Sequence, residues 1–552
     1  MAGLGAPTTA SAAMGPDPGF GSDGFATAGT EAAGLVQVRF AFELADGNIV
    51  LAGSTEDDHA FVEILASDGH NLHDQVLDRP LWGSGLAHVF EHPDGGIVLA
   101  GRHYSGPDTG PYLSAVRLNA DLSLDTSYGT DGWADTIDAS NQQLHVLDGL
   151  DGSMVVALNT AIYRIGADGG LDTTFGGGPD GAAAVPHPTP YETTTARVSV
   201  PQVTVDGGVV VAGTAWGDRV GRPFVARLTA SGQADTGFGG VGYVMPAGTD
   251  QDEEMKTILG LADGSVIVTT SRTVNGEPTF PPSPTHLIVR RFLPDGSPDP
   301  GFGTGGEMPP INIEDPPGSQ RRHEARLSAA ADGSIIAVIN ATWSGAVGTN
   351  LSSVARITPS GTLDPAFGPD GTGLIAWEES PWVLPLADGS MLITHPDWDI
   401  VDGVVVPGPL VVSYLDPTGN HDPAFNNGVP LLFNGQHRRP TLSTDAALIP
   451  ILTTGTGAGT TSGGVLRILT NLPPPPPDVA GETVCGTDGY WLGEADGDIY
   501  PFGDAAHHGQ PTPAPATTKP SPPPPPAAAT GPSTPPATSP TTATPPTSAK
   551  PT

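Results

Sequence analysis

The chain of 552 residues has one cysteine, Cys485, so an intramolecular disulfide and a cysteine-rich zinc site are both excluded. It has only three lysines, and its formal net charge of −38 would repel a phosphate backbone. No stretch approaches the roughly 18 consecutive apolar residues that a membrane helix needs. We therefore expect no nucleic-acid partner, no membrane span, and a fold stabilised by packing alone.

Sequence patterns of common catalytic sites are also missing. There is no phosphate-binding loop and no Gly-x-Ser-x-Gly nucleophile motif. His323-Glu324 begins a zinc-protease pattern, but Leu327 stands where the second histidine is needed. We assign no catalytic residue, no metal ligand and no cofactor. The acidity is compatible with calcium, although no residue pattern specifies a calcium site.

A repeat accounts for most of the chain. An Asp-Gly pair leads into an apolar run at intervals of 48 to 69 residues, which suits about four short strands per unit. The units start at Asp46, Asp94, Asp151, Asp206, Asp263, Asp332 and Asp388, with a degenerate copy at Asp445. Such units predict an all-β propeller of seven to eight four-stranded blades.

Each unit continues with an alternating strand and then a Leu-Asp-x-x-Phe-Gly element. An arginine of that strand and the aspartate of that element are eight residues apart, which predicts an ion pair that fastens the turn to its strand. The alternative is that both positions are merely polar turn flanks. The pairs are Arg117 and Asp125, Arg164 and Asp172, Arg227 and Asp235, Arg291 and Asp299, and Arg356 and Asp364. In one unit Glu63 and Asn71 replace the pair.

The two ends of the repeat region complement each other. Arg467 has no aspartate eight residues later, whereas an orphan Phe-Gly element with Asp17 stands near the N-terminus. A chain that starts with the end of a repeat and finishes with its beginning predicts a ring closed by its own termini. We therefore expect Asp17 to lie close to Arg467.

These motifs resemble the delta-60 repeat family of bacterial secreted and surface proteins. The resemblance covers residues 16 to 472 and implies a propeller-like fold and an exported protein, without catalytic residues. Near the C-terminus, Gly489-Tyr490-Trp491-Leu492 and Phe502-Gly503-Asp504-Ala505 resemble one copy of a repeat found in wall-associated proteins. This second resemblance rests on a single copy.

The composition divides the chain into five parts. Small residues before position 14 resemble the end of a signal peptide, so we expect a secreted or cell-wall-associated protein whose start lies upstream. The tail has 16 prolines among 42 residues and cannot form a core. The expected divisions are 1–13 (signal remnant), 14–472 (propeller), 473–477 (polyproline linker), 478–510 (small module) and 511–552 (disordered tail).

Function is less well specified than fold. Tryptophans between the regular strands, including Trp216, Trp343 and Trp398, are suited to stacking on sugars or anchoring a protein, but packing between blades is an alternative. Long insertions at 273–285, 345–351 and 396–409 predict a loop-rich face. Our first hypothesis is a monomeric, non-enzymatic scaffold that binds a glycan or protein. A secreted hydrolase or lyase using carboxylates, and a structural spacer, remain open.

Overall fold

The computed structural model describes most of the repeat region and a short hairpin beyond it. Contacts divide the chain into a compact unit of residues 1–511 and a second unit of residues 512–552, which lies outside the described ranges. Among the described residues, no helix has the length and apolar character needed to cross a membrane. The described ranges are 14–29, 36–55, 59–79, 86–103, 112–138, 144–158, 161–178, 180–188, 197–217, 220–246, 253–273, 285–311, 321–343, 351–377, 380–401, 404–433, 436–437, 439–443, 446–452, 463–470, 490–493 and 499–502.

Eight antiparallel sheets form the blades of a β-propeller. In chain order, β1 (Gly15–Pro16) and β2 (Phe25–Thr27) precede the first complete blade. Blade 1 contains β3 (Val36–Glu43), β4 (Ile49–Thr55), β5 (Ala60–Leu65) and β6 (Asn71–Val76); blade 2 contains β7 (Leu86–Glu91), β8 (Ile97–His103), β9 (Tyr112–Leu118) and β10 (Trp133–Asp138). Blade 3 contains β11 (Leu144–Asp148), β12 (Met154–Leu158), β13 (Ala161–Ile165) and β14 (Ala183–Ala184).

The next three blades repeat this order. Blade 4 contains β15 (Arg197–Val203), β16 (Val209–Gly217), β17 (Val220–Leu228) and β18 (Tyr243–Val244). Blade 5 contains β19 (Glu253–Gly260), β20 (Val266–Thr273) and β21 (Thr285–Phe292), with Glu307 and Ile311 making single bridges in place of a regular fourth strand. Blade 6 contains β22 (Arg321–Ala329), β23 (Ile335–Trp343), β24 (Leu351–Ile357) and β25 (Leu374–Trp377).

The last two blades complete the ring. Blade 7 contains β26 (Trp382–Pro385), β27 (Met391–Val401), β28 (Val404–Leu415) and β29 (Leu431–Phe433). Blade 8 contains β30 (Gln436–His437), β31 (Thr441–Leu442), β32 (Ala446–Leu452) and β33 (Gly464–Leu469), completed by β1 and β2. Short 3-10 turns lie at Phe175–Gly177 and Asn426–Gly428, and a separate hairpin pairs β34 (Tyr490–Gly493) with β35 (Ile499–Phe502).

Closure by the chain termini is visible in the strand register. Gly15 pairs with Leu469 through β1 and β33, and Phe25 pairs with Leu466 through β2 and β33. The predicted all-β propeller is thereby confirmed, and the number of blades is eight rather than seven. The sheet edge that an open array would expose at blade 8 is covered by the N-terminal strands.

The hydrophobic core is divided among the junctions between blades. The second strands are almost wholly buried because a neighbouring blade covers each of their faces, as their continuous apolar runs predict. Eight buried clusters each join residues of two adjacent blades, including one between blades 8 and 1 and one between blades 7 and 8. An uninterrupted circle of junctions is what a closed ring requires.

The antiparallel order also fixes two faces. The turn between the first and second strands of a blade carries Asp-Gly, and it lies on the same side as the turn between the third and fourth strands. We call this side the turn face. Loops between the second and third strands lie on the opposite side, the loop face, and the long insertions belong there.

Candidate functional site

The six predicted arginine–aspartate pairs lie on the turn face. The side-chain nitrogen–oxygen distances range from 2.5 Å, for Arg164 and Asp172, to 3.4 Å, for Arg117 and Asp125. Arg467 Nη1 lies 2.8 Å from Asp17 Oδ2, which joins the last described repeat strand to the N-terminal segment. The other distances are 3.2 Å for Arg227 and Asp235, 3.3 Å for Arg291 and Asp299, and 3.4 Å for Arg356 and Asp364.

These arginines make further contacts that the spacing does not reveal. Arg227 Nη2 lies 2.7 Å from Asp206 of its own Asp-Gly turn, and Arg227 Nη1 donates to the Pro294 carbonyl of the next blade at 3.4 Å. Arg356 likewise contacts Asp332 at 2.6 Å and donates to Pro417 of the next blade at 2.7 Å. The arginine therefore links two turns of one blade to the following blade.

A buried aromatic side chain strengthens the same junctions. The aromatic of each Phe-Gly element, such as Phe238, is fully buried, and the following Gly239 N–H donates to the Asp295 carbonyl of the next blade at 2.8 Å. The aromatic ring packs over a glycine of that turn, here Gly296, whose φ is +80°. A side chain at Gly296 would be strained by this backbone conformation and would also meet Val244.

Blade 1 lacks the Phe-Gly element, and its exceptional residues have another role. Glu63, which replaces the arginine, accepts hydrogen bonds from Asn71 Nδ2 at 2.5 Å and from the Gly29 N–H at 2.9 Å. The carboxylate thus holds the N-terminal segment that follows β2. Burial raises the pKa of Glu63, although the Gly29 and Asn71 hydrogen bonds act to lower it.

The junction between blades 1 and 2 consequently has a different construction. Leu122 occupies the turn position that is glycine in several other blades, and it has φ +62°. Because blade 1 has no Phe-Gly element in its sequence, no aromatic of such an element is available to cover this position. Leu122 is instead buried in the cluster shared by blades 1 and 2, together with Leu77 and Leu86. Burial of this leucine offsets the cost of its left-handed backbone, about 1 kcal/mol.

A pocket of about 680 Å³ opens on the turn face beside this junction. The Asp-Gly turns of blades 1, 2 and 3 surround it, and its volume is within the range of small-molecule sites. Its walls combine apolar and polar side chains. The apolar ones include Leu44, Ile64, Leu72, Phe90 and Leu150, and the polar ones are Asp46, Asn48, His73, Glu91, His92, Asp148 and Asp151.

Glu91 is a pocket carboxyl group whose pKa is strongly raised. Its Oε2 accepts a hydrogen bond from the Ala45 N–H at 3.0 Å, across the junction between blades 1 and 2. Burial, opposed by the Ala45 hydrogen bond and assisted by the charge of Asp46, raises the pKa of Glu91 to about 7. Near neutral pH this carboxyl group can both donate and accept a proton.

The neighbouring groups have opposite protonation preferences. Although burial acts to raise the pKa of Asp151, hydrogen bonds from Ser153 lower it overall, so Asp151 is a carboxylate. Burial and the Arg117 charge lower the pKa of His92 to about 4, so its ring is neutral at pH 7. Among the described residues, the buried Nε2 of His92 has no hydrogen-bond partner, while Nδ1 lies 2.6 Å from Asp94.

A second histidine joins two blades at the pocket. His88 of β7 contacts the Asp148 carboxylate of β11, and both side chains are almost completely buried. Asp148 is also a pocket residue. His145 has the position in blade 3 that His88 has in blade 2, but Val203 stands where blade 4 would need the matching acid. Burial lowers the pKa of His145 to about 4, with a smaller effect of Arg102.

The predicted binding tryptophans share one region of the fold. Trp216, Trp343 and Trp398 lie towards the ends of β16, β23 and β27, the second strands of three blades, and so on the side of the loop face. Their side chains, and the insertions at 273–285 and 345–351 apart from their end residues, lie outside the described residues. The predicted insertion at 396–409 instead extends β27 and β28 into a longer hairpin. The turn-face pocket was not predicted, because its residues come from three separate units and follow no single motif.

The described residues contain no group of three or more histidine, cysteine or acidic side chains arranged to hold a metal ion.

Four segments match a family model described as "Domain of unknown function (DUF5122) beta-propeller": residues 92–128, 206–238, 282–302 and 330–367. Each segment ends at or beside the buried aromatic of a Phe-Gly element. These four segments are therefore similar to repeats of a β-propeller family. No curated protein matches it in sequence.

Solved structures with a similar architecture include several enzymes. The polysaccharide lyase Uly1 is 12% identical, with a TM-score of 0.40, over 84% of this chain and 98% of that one. An ulvan lyase is 9% identical, with a TM-score of 0.37, over 79% of this chain and 94% of that one. An α-L-arabinofuranosidase from Fusarium graminearum is 10% identical, with a TM-score of 0.30, over 71% of this chain and 96% of that one. Likenesses at this level indicate the fold alone.

Proposed function

We propose that this protein is an extracellular or cell-surface module of the delta-60 repeat type, and that its propeller binds a glycan through the turn-face pocket. The observation that carries the proposal is the pocket itself, which lies where the repeat departs from its own pattern. Sequences depart from local rules at functional sites more often than elsewhere. The export signal and wall-module resemblances favour a ligand at the cell exterior.

The composition of the pocket suits a sugar. Apolar side chains such as Leu72, which is 39% exposed, offer a surface for the carbon face of a ring. Asp46, Asn48 and His73 offer hydrogen-bond partners for hydroxyl groups. The carboxylates disfavour a polyanionic chain through charge repulsion. A neutral or cationic glycan therefore fits this surface better than an acidic one.

Two matched variants test the site. Ala120 lines the pocket in the turn after β9, and Ala230 has the equivalent position in blade 4, away from it. Ala120→Trp should block the pocket and abolish binding to the glycans retained on an array by the wild type, whereas Ala230→Trp should bind normally. If both variants still bind the glycan, or if both lose binding equally, the ligand binds elsewhere. The loop-face tryptophans would then be the next candidates.

A second function is favoured by the opposed protonation of Glu91 and Asp151. A protonated carboxyl group and a carboxylate in one pocket are the two groups that acid–base cleavage of a glycosidic bond requires. In this hypothesis Glu91 protonates the leaving oxygen. Glu91→Gln should then retain binding and lose turnover of a glycan that the wild type cleaves. Intact glycan after prolonged incubation with the wild type would leave the binding module as the explanation.

A further inference from the structure

The turn-face pocket combines carboxylates with a lack of compensating cations. Asp46, Glu91, Asp148 and Asp151 line it, and no lysine or arginine is among the described lining residues. Arg117, which acts on His92, contacts both Asp94 and Asp125 outside the pocket, and Arg164, which acts on Asp151, contacts Asp172. Both arginines therefore have carboxylate partners of their own, and the pocket lining keeps an excess of acidic groups over lysine and arginine.

Two further features indicate that this charge is meant for a ligand. His92 lines the pocket and is 8% exposed, and its Nε2 has no partner among the described residues, so a buried acceptor is left for an incoming donor. The carboxylates also stand beside apolar walls, where a charge interacts more strongly than in water. A positively charged group with several N–H donors can donate hydrogen bonds to these acceptors and is attracted by the negative charge of the carboxylates.

Resting on the glycan-binding function proposed above, we infer that the sugar unit in this pocket carries a free ammonium group, as in a de-N-acetylated amino sugar. The ring covers Leu72, and the ammonium group binds among Asp46, Glu91 and Asp151. A lysine side chain of a protein partner presents the same charge, but it lacks the hydroxyl groups that Asn48 and His73 are placed to bind.

The test compares two ligands that differ only in this charge. Titration calorimetry near pH 6 would measure binding of a glucosamine oligomer and of its N-acetylated counterpart to the whole chain. We expect the charged oligomer to bind at least about tenfold more tightly. The difference should shrink at about 0.5 M salt, where screening is strong. Binding of a lysine-rich peptide, measured in the same way, tests whether the ligand is instead a protein.

Two variants locate the charge. Asp46→Asn keeps the turn acceptor but removes one charge, and it should weaken binding of the charged oligomer about threefold to tenfold. Asp388→Asn makes the same change in the equivalent turn of blade 7 and should have no effect. Binding should also release protons, because a nearby cation lowers the pKa of Glu91; calorimetry in buffers of different ionisation enthalpy measures this release.

The outcomes separate this inference from the proposed function. Equal affinity for the two oligomers, both blocked by Ala120→Trp, would overturn the ammonium inference and leave glycan binding intact. Binding of neither oligomer, with other glycans retained, would also overturn it. Tighter binding of the lysine-rich peptide than of the sugar would assign the pocket to a protein partner. No glycan binding at all would reject the proposed function as well.

Discussion

Replacing Arg227 by methionine tests whether the arginine contacts stabilise the ring. The side chain is 14% exposed and links Asp206, Asp235 and the Pro294 carbonyl of the next blade. Hydrogen bonds to a charged group contribute about 1.5–3 kcal/mol. Because Asp206 is 55% exposed and screened by water, we expect a loss of about 2 kcal/mol in the free energy of unfolding, at the lower end of that range.

The assay is urea denaturation followed by circular dichroism, with a double-mutant cycle using Asp235→Asn. The cycle should give a coupling energy of about 1 kcal/mol, because the two groups are in direct contact. Arg79→Met is the control, since Arg79 and Asp135, whose side chains are 29% and 38% exposed, form a more exposed pair at 2.6 Å that should contribute less than about 1 kcal/mol. An Arg227 variant as stable as the control, with no coupling to Asp235, would refute the reasoning.

Three further predictions concern single positions. Glu91→Gln should stabilise the fold at about pH 8 but not at about pH 4.5. The reason is that burial raises the pKa of the Glu91 carboxyl group, so the wild type loses stability as pH rises between these values. Measured by denaturation, the gain in the free energy of unfolding should not exceed about 3 kcal/mol. Gly296→Ala should destabilise by more than about 1 kcal/mol, since its φ is positive and Val244 lies against it. Leu122→Gly should also destabilise, by about 2 kcal/mol, because the lost burial outweighs the relieved backbone; a gain in melting temperature would contradict this.

Much of the architecture was predictable because the same strand and turn patterns recur in every repeat unit. The buried second strands follow from their continuous apolar runs, and the closure follows from the orphan element at Asp17. Spacing along the chain also brought out the arginine–aspartate pairs. The contacts of Arg227 with Asp206 and Pro294 were not evident, because they depend on how one turn faces another and on the next blade.

The pocket was beyond sequence reasoning for a related physical cause. Glu91, Asp148 and Asp46 belong to three units and become neighbours only when the blades pack side by side. The one available signal was the departure from the repeat on the two sides of one junction, with Glu63 for arginine in blade 1 and Leu122 for glycine in blade 2. The spacing of Glu63 and Asn71 does not reveal that Glu63 also accepts a hydrogen bond from Gly29 in the N-terminal segment.

Closure of the ring by pairing of β2 with β33 is the central structural claim. Ala26 pairs directly with Val465 in the strand register, so cysteines at these two positions are at the right separation for a disulfide. In a Cys485→Ser background, the Ala26→Cys/Val465→Cys variant should oxidise to a monomer without free thiols and with altered mobility on a non-reducing gel. Free thiols that persist under oxidation, or disulfide-linked dimers in place of the monomer, would contradict the closed propeller.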